Sequence, residues 1–422
     1  MKKIFFIFMV TALIAGCAKK KDSSKIIISY GTIEVLPENI AANIRIIKKF
    51  EKIHPNVRVT LKNYNKIDQL LTHLAAGNAP DIIWMHPFWM PKYVESGVAL
   101  DLSPYLEASF VNTFYKVCVD AYTYNNKIYG LPIQANFPVL YYNKDLLEKT
   151  SLPCPNLETD INTLVNFAKK ITIYDKKNPN NSIIGFYNFT PLHAFNIGGF
   201  KLFSKDGDKL YIQNSKFREL LKLAYDINQT YKLTSSALSM DQNVNAIGGG
   251  DSENFLMGKT AFIIDSPYIV RTLKKARFTW GLTLLPKDTK GKRQSTQVET
   301  ICNFVNANSK QKEAAVKFLK FYTSSKGLIE QAKVPNGIPP LTELLKNDLI
   351  PKYYGKKETD LFNLALVNGT YLPPFKDLIQ FWQTIYNPFL KQTICNTKTS
   401  FNDILSEFNK SVRTQFPEME IK

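Results

Sequence analysis

Cysteine is scarce in this chain, five among 422 residues, and Cys118, Cys154, Cys302 and Cys395 show no C-x-x-C spacing, which removes the usual zinc and redox signatures. They leave two disulfides or unpaired buried thiols equally open. The four histidines, His54, His73, His86 and His193, have no metal-ligand spacing, and neither G-x-S-x-G nor H-E-x-x-H occurs. No metal or cofactor is expected. Gly258-Lys259-Thr260 imitates the end of a phosphate loop, but Glu253 stands where such a loop needs glycine, so the stretch reads as a helix-to-strand turn. No apolar run beyond Lys19 is long enough to span a bilayer, so that part is expected to be soluble. Internal repeats and low-complexity segments are absent as well.

What is abundant is positive charge: 54 Lys and Arg against 36 Asp and Glu, a net of +18. The basic residues are scattered singly along helices instead of forming a dense stripe, which argues for a solvated surface and against nucleic acid. Such a surface is attracted to anionic lipid or wall polymer. With 45% apolar and 13% aromatic residues, the chain has material for large cores, and its length suggests two or three domains.

The amino terminus has a signal-peptide shape. Lys2 and Lys3 precede an apolar run, Ile4 to Ile14, that is too short for a comfortable span. Ala15 and Gly16 before Cys17 resemble the lipobox of bacterial lipoproteins, in which cleavage precedes the cysteine and its thiol carries lipid. Residues 1–16 are then the signal, Cys17 the lipidated residue and 17–25 a polar tether; an ordinary secretory signal is the plainer alternative. Acyl chains contribute about 0.8 kcal/mol per buried methylene, enough for several to hold a protein at a membrane.

Beyond the tether, apolar periodicity alternates between strand and helix. "IIIS" reads as a strand; Pro37 opens a helix with Ile40, Ile44, Ile47 and Phe50 on one face; "VRVTLK" alternates as a half-buried strand. Ile67, Leu70, Leu71, Leu74 and Ala75 mark a second helix stopped by Gly77, and "DIIW" a third strand. The pattern β-α-β-α-β implies an α/β fold with a parallel sheet. "YGLPIQANFPVLYYNKDLL" runs from a turn through an apolar strand into a helix and opens a second α/β region. "STQVETICNFVNANS" is a further strand region, followed by a helix striped by Ala315, Phe318, Leu319 and Tyr322. The last part is helical, with Leu378, Phe381, Trp382 and Ile385 on one face and Phe401, Ile404, Leu405, Phe408 and Val412 on another.

"FEKIHPNVRVT", "LAAGNAPDIIWMHPFWMPKYVESGVALDLSPYL", "NNKIYGLPIQANFPVLYYNKDLLEK", "FLMGKTAFIIDSPYIV", "WGLTLLP", "AAVKFLKFYTSSKG" and "NGIPPLTE" together resemble, in order, the extracellular solute-binding proteins (family 1) of bacterial ABC importers, the group that includes the maltose-binding protein. The resemblance implies a two-lobe, type II periplasmic-binding-protein fold with the ligand in a cleft between α/β lobes. It places residues 26–133 and 288–336 in lobe 1, and 134–287 and 337–422 in lobe 2. Hinge closure on ligand would be the working motion.

Candidate contacts follow. The turn Trp84-Met85-His86-Pro87-Phe88-Trp89 lies at the carboxyl edge of the first sheet, where open α/β sheets hold ligands, and its rings suit the apolar face of a sugar. His86, Phe88 and Trp89 face the ligand in this reading, with Trp84 nearer the core. Glu34 occupies the matching edge after the first strand, as hydroxyl acceptor, partner of a cation or merely a solvated loop carboxylate. The resemblance puts Gln134, Asn136 and Phe137 at the first lobe crossing, where amides suit hydroxyl recognition and a self-satisfied hinge turn is the alternative. Asp265, Ser266 and Tyr268 follow "AFIID", Tyr268 matching a family aromatic; Trp382 matches a C-terminal family tryptophan, with core packing as its rival. Departures are Phe88 and Trp89 in place of charged groups, Asn136 in place of a carboxylate, and "PNLETDINTL" in place of the Thr-Trp-Glu-Glu helix start.

The expectation is a monomeric binding lipoprotein, not an enzyme, that captures a small solute, a sugar or oligosaccharide, and passes it to the transmembrane subunits of an ABC permease. A glycerophosphodiester, peptide or polyamine ligand stays open, as does a surface glycoside hydrolase with two facing carboxylates.

Overall fold

The computed structural model describes residues 25–422 except 176, 179–180, 205–206, 235–252, 347, 374, 376 and 395–398. The expected signal, Cys17, the tether to residue 24 and Cys395 lie outside the described residues.

Two sheets organise the chain. The first has the order Val57–Asn63, Ile26–Thr32, Ile82–Met85, Glu299–Val305, Leu131–Asn136. Its first three strands are parallel, as the β-α-β-α-β reading requires, and Glu299–Val305 runs antiparallel to both neighbours. The second has the order Trp280–Leu284, Val139–Asn143, Thr260–Asp265, Ile184–Phe186. Helices cover both, because the strands are apolar on their two faces and have to be shielded from water.

The segment read as one strand after Tyr129 is two, Leu131–Asn136 in the first sheet and Val139–Asn143 in the second. Phe137 and Pro138 join them, and proline at the crossing removes a donor and holds the chain extended. Residues 134–136 therefore belong to the first sheet, a correction to the boundary expected after 133. The return crossing is also later than 288, since Lys287 bridges Asp160 and the strand of the first sheet starts at Glu299. After 336 the chain stays with the first lobe a little longer, Ile338 pairing with Ala135 and Leu341 with Phe114. Boundaries carried over from the resemblance fall a few residues off because the strands flanking each crossing run on past them.

The helix Pro37–Ile53 begins on proline, as expected, but buries a different face: Asn39, Ala42, Asn43, Ile46, Ile47 and Phe50, leaving Ile44 exposed. A polar network explains the rotation. Asn43 Oδ1 accepts hydrogen bonds from the Tyr322 hydroxyl (2.6 Å) and Gln331 Nε2 (2.7 Å), so an amide occupies the inward position that hydrophobic periodicity assigned to isoleucine. In Ile67–Ala75 only Leu70 is fully buried, and Gly77 takes the left-handed φ of 71° that stops the helix.

Lobe 1 buries apolar side chains on both faces of its sheet, and lobe 2 holds the largest cluster, which reaches the C-terminal helices through Phe381, Phe389 and Phe408. A fourth cluster crosses the seam: Tyr115, Val117 and Ala135 pack with Phe137, Val139, Ile263 and Phe362. Leu378, Phe381, Trp382 and Ile385 are all buried, and the turn Trp382–Tyr386 is π-helical. Cys118, Cys154 and Cys302 are free thiols. Among the described residues no helix is long and apolar enough to cross a membrane.

Candidate functional site

Between the sheets lies a cavity of about 790 Å³, within the few-hundred to one-thousand Å³ range of small-ligand sites. Its walls come from the carboxyl ends of strands in both lobes. Ile33 and Glu34 follow Ile26–Thr32, Phe88 follows Ile82–Met85, Tyr187 and Asn188 follow Ile184–Phe186, and Ser266 and Tyr268 follow Thr260–Asp265. That is where the pleat ends and loops can turn side chains towards a guest.

Of the expected residues, Glu34, Trp84, Phe88, Gln134, Asn136, Phe137, Asp265, Ser266, Tyr268 and Trp382 meet on this wall, whereas His86 and Trp89 do not. The two tryptophans of the turn exchange the positions assigned to them. Pro87–Trp89 is a 3-10 turn that runs directly into the helix Met90–Glu95, so helical spacing sets Trp89 over Tyr93, stacked at 6.3 Å and 17°. Tyr93 in turn stacks on Phe304, which anchors Trp89 to the lobe-1 core while Trp84 faces the cavity. The His86 ring meets Phe88 edge-on at 4.3 Å, and burial pushes its pKa down to about 4, so it is neutral near pH 7. Phe137 is buried, its ring edge-on to Phe362.

The cavity also collects residues that sequence reasoning passed over, chiefly Asn188, Thr190, His193, Asn196, Arg271, Gln297 and Glu299. Glu299 and Ile301 share one face of the strand Glu299–Val305 and Gln297 precedes it at the same spacing, a period-2 signal that is readable once Gln134 and Asn136 are placed on the neighbouring strand. Arg271 stands three residues after Tyr268, one turn further along. Thr190 and His193 close a capping box at the start of Pro191–Gly198: Thr190 Oγ1 accepts from the His193 N–H, and His193 Nδ1 accepts from the Thr190 N–H. Burial pushes His193 down to about 4.

Electrostatically the wall is carboxylate-rich. Burial pushes the Asp265 carboxyl up to about 7, although Oδ1 accepts the Ser266 N–H at 2.7 Å, and burial also raises Glu299. Buried Asn136 Oδ1, Asn188 Oδ1 and Trp382 Nε1 have no hydrogen-bond partner among the described residues. Asn136, Asn188 and Trp382 line the hollow, and amide and indole groups suit a guest that supplies hydroxyls, which both donate and accept. Aromatic faces interleave with them, Trp84 and Phe88 from lobe 1, Tyr268 and Trp382 from lobe 2. Among the described residues no group of three or more His, Cys, Asp or Glu is arranged to hold a metal ion.

Fold and cavity together define a two-lobed binding protein that holds a small guest between its halves. Residues 45–357 match the profile of bacterial extracellular solute-binding proteins, and the chain belongs to that family. It is 27% identical over 374 residues to a galactooligosaccharide-binding protein of Bacillus subtilis, covering 83% of this chain and 84% of the relative. To a maltooligosaccharide ABC transporter solute-binding lipoprotein of Streptococcus pneumoniae it is 24% identical over 391 residues, covering 88% and 86%. The fold is similar to that of an ABC substrate-binding protein from Listeria monocytogenes solved with cycloalternan, with a TM-score of 0.78 at 21% identity over 93% of this chain and 99% of the other.

Proposed function

We propose that the chain is the capture subunit of an ABC importer for an oligosaccharide. The observation that carries this reading is the interlobe cavity, in which aromatic faces from both lobes alternate with the amides Asn136 and Asn188 and the carboxyls Glu34, Asp265 and Glu299. A pyranose ring has two apolar faces and a polar rim. Rings such as Trp84 and Tyr268 stack on the faces, while Asn136, Asn188, Asp265 and Glu299 bond the rim. Relatives whose names specify galactooligosaccharide and maltooligosaccharide support the ligand class.

Function is binding without chemistry. Sugar enters the open cleft, the lobes close, and the closed form of the monomer docks on the permease and releases the sugar unchanged. Lipid on Cys17 keeps the exported protein beside the membrane, on its outer face. Calorimetry with linear gluco-, galacto- and manno-oligosaccharides, combined with solution scattering, tests the proposal. One series should bind in the micromolar range or tighter and compact the protein, with the sugar recovered intact. Hydrolysis products, or indifference to every series, would overturn it.

A further inference from the structure

The first sheet has two ends, and the cleft uses one of them. Its parallel strands run towards the cavity, so the amino ends of Ile26–Thr32 and Val57–Asn63 lie on the far side of the lobe. Ile26 N–H donates to Asn56 O and Val57 N–H to His54 O, both at 2.9 Å, which seats Lys25 beside the turn that follows the helix Pro37–Ile53. The loop after Glu299–Val305 comes to the same end. Asn306 N–H donates to Asp81 O at 2.9 Å and Ser309 Oγ to Asp81 Oδ1 at 2.6 Å, while Asp81 Oδ2 accepts the Ser29 N–H at 2.7 Å. The helix Lys312–Thr323 starts there and lies along Pro37–Ile53, with the rings of Phe318 and Phe50 5.1 Å apart.

These segments bring cations to one surface. Lys25, Lys52, Lys310 and Lys317 are exposed, and none forms an ion pair among the described residues. Burial, and beside it the charge of Lys317, hold the His54 pKa below its ordinary value, so that lysine and the turn are close neighbours. On the same segments Glu51 is taken by Arg58 Nη1 and the Val59 N–H, both at 2.9 Å, and Asp81 by the two serines, which leaves Glu313 as the exposed counter-charge. Apolar side chains stand among the lysines, Ile27 being 64% exposed and Ile53 54%. Ile28 and Tyr30 pack with Ile46 and Phe50 of the helix, so alternation turns Ile27 to the other side of the sheet edge.

We propose that this end of lobe 1 is a contact face for a bilayer of anionic phospholipid. The inference rests on the reading that Cys17 carries lipid and adds an orientation to it. Eight residues, Ala18 to Lys25, follow Cys17. At ~3.5 Å each they reach about 28 Å when fully stretched, so the lysine-bearing end is the part of the fold nearest the bilayer. Lys19, Lys20 and Lys21 continue the same charge towards it. Anionic headgroups attract basic groups within about a Debye length, and exposed isoleucines among lysines suit the boundary between headgroup and acyl chain. Phosphate-rich wall polymers offer charge without that apolar layer, so Ile27 and Ile53 favour lipid. Seated this way, the seven residues of Ile26–Thr32 stand on end. At ~3.3 Å per residue they raise the cleft about 23 Å above the contact and leave it open to solute.

The test uses residues 25–422, which hold both lobes and omit Cys17 and Lys19 to Lys21, so that binding reads the surface without the anchor. The protein is sedimented with vesicles of phosphatidylcholine alone or with an equal part of phosphatidylglycerol. It should pellet with the mixed vesicles only, and high salt should release it. A lysine near an anionic surface is worth about fivefold in partition, so Lys52→Glu, Lys310→Glu and Lys317→Glu together should weaken binding at least tenfold. Reversing Lys149, Lys170 and Lys410, exposed on lobe 2, gives the same net charge and should change it by less than about threefold. Lys52→Gln, Lys310→Gln and Lys317→Gln together should fall between, and an unchanged melting temperature shows each variant folded. Equal binding to both vesicles, equal loss in both reversed sets, or retention on poly(glycerol phosphate) with none on vesicles would overturn the contact face. Lipidation is read separately, by the fractionation of Cys17→Ser in the full chain, so the two can fail independently.

Discussion

Asn136 and Glu299 are register partners in the antiparallel ladder that joins Leu131–Asn136 to Glu299–Val305, and both line the interlobe cavity. Facing positions on adjacent strands share one side of the sheet, so the pair acts as a single acceptor-rich patch at the place where the chain crosses between lobes. Hydrogen bonds to a charged group are worth about 1.5–3 kcal/mol each. Glu299→Gln should therefore weaken sugar binding by roughly ten- to a hundredfold, read by calorimetry. Its melting temperature should stay level or rise, because a carboxyl whose pKa burial raises is a cost to the fold when ionised.

Trp84 and Trp89 should separate binding from folding. Trp84→Ala removes a cavity ring, and the lost stacking of about 0.5–1.5 kcal/mol beyond buried area corresponds to several-fold weaker binding. Trp89→Ala should instead lower unfolding stability by about 2 kcal/mol, somewhat below the range for a fully buried aromatic, and leave affinity within twofold. Urea unfolding and calorimetry on both variants check the pair.

How these two tryptophans differ shows where sequence stops being informative. Strand and helix periods disclosed both α/β regions, the helix start at Pro37 and the stripe Ala315, Phe318, Leu319 and Tyr322, because solvent-facing and core-facing positions alternate on fixed spacings. Trp89 was misplaced because the orientation of a short turn depends on whether it continues into a helix, and that is settled by packing on Tyr93 and Phe304. Ile44 was assigned inward because periodicity cannot register that Asn43 answers Tyr322 and Gln331, partners nearly 280 residues away or more. Glu299 was missed for the same reason. Its meaning comes from a neighbour strand far along the chain.

Glu330 supplies a stability prediction independent of the cleft. Its carboxylate is buried and binds Arg45 Nε at 2.8 Å, Lys49 Nζ at 2.5 Å and Lys333 Nζ at 2.7 Å, clamping Pro37–Ile53 to Ser325–Ala332. These cations outweigh the burial that opposes ionisation and hold its pKa down to about 2. Arg45, Lys49 and Lys333 are 41%, 49% and 43% exposed, so water screens part of the loss, and Glu330→Gln should lose about 1–3 kcal/mol of stability in urea with sugar affinity unchanged. A depressed carboxyl stabilises the fold above its unfolded pKa. The parent's advantage over Glu330→Gln should therefore be full above about pH 5 and shrink as pH falls towards 2.

Cys17 offers a prediction about location. If lipid on this thiol tethers the protein, Cys17→Ser should move it from the membrane fraction to a soluble one and lower its mass by the acyl chains. One acyl chain binds membranes only marginally, whereas several bind stably, so partial lipidation should give partial release. Unchanged fractionation and unchanged mass would leave the segment an ordinary secretory signal.

Asp265 should make the stability and the binding of the protein depend on pH in opposite senses. Burial pushes its pKa up to about 7, with the Ser266 N–H only partly compensating. A carboxyl with a raised native pKa binds its proton more tightly folded than unfolded, so stability is lost as pH rises from about 4 to 7. Asp265→Asn, which cannot ionise, should lack this decline and be about 1–3 kcal/mol more stable than the parent at pH 7.5. The ionised form is nevertheless the better acceptor for sugar hydroxyls. Sugar affinity of the parent should thus strengthen as pH rises through 7 while its melting temperature falls, and Asp265→Asn should flatten both curves. A parent and a variant with parallel melting temperatures from pH 5 to 8 would show that the carboxyl does not titrate in this interval.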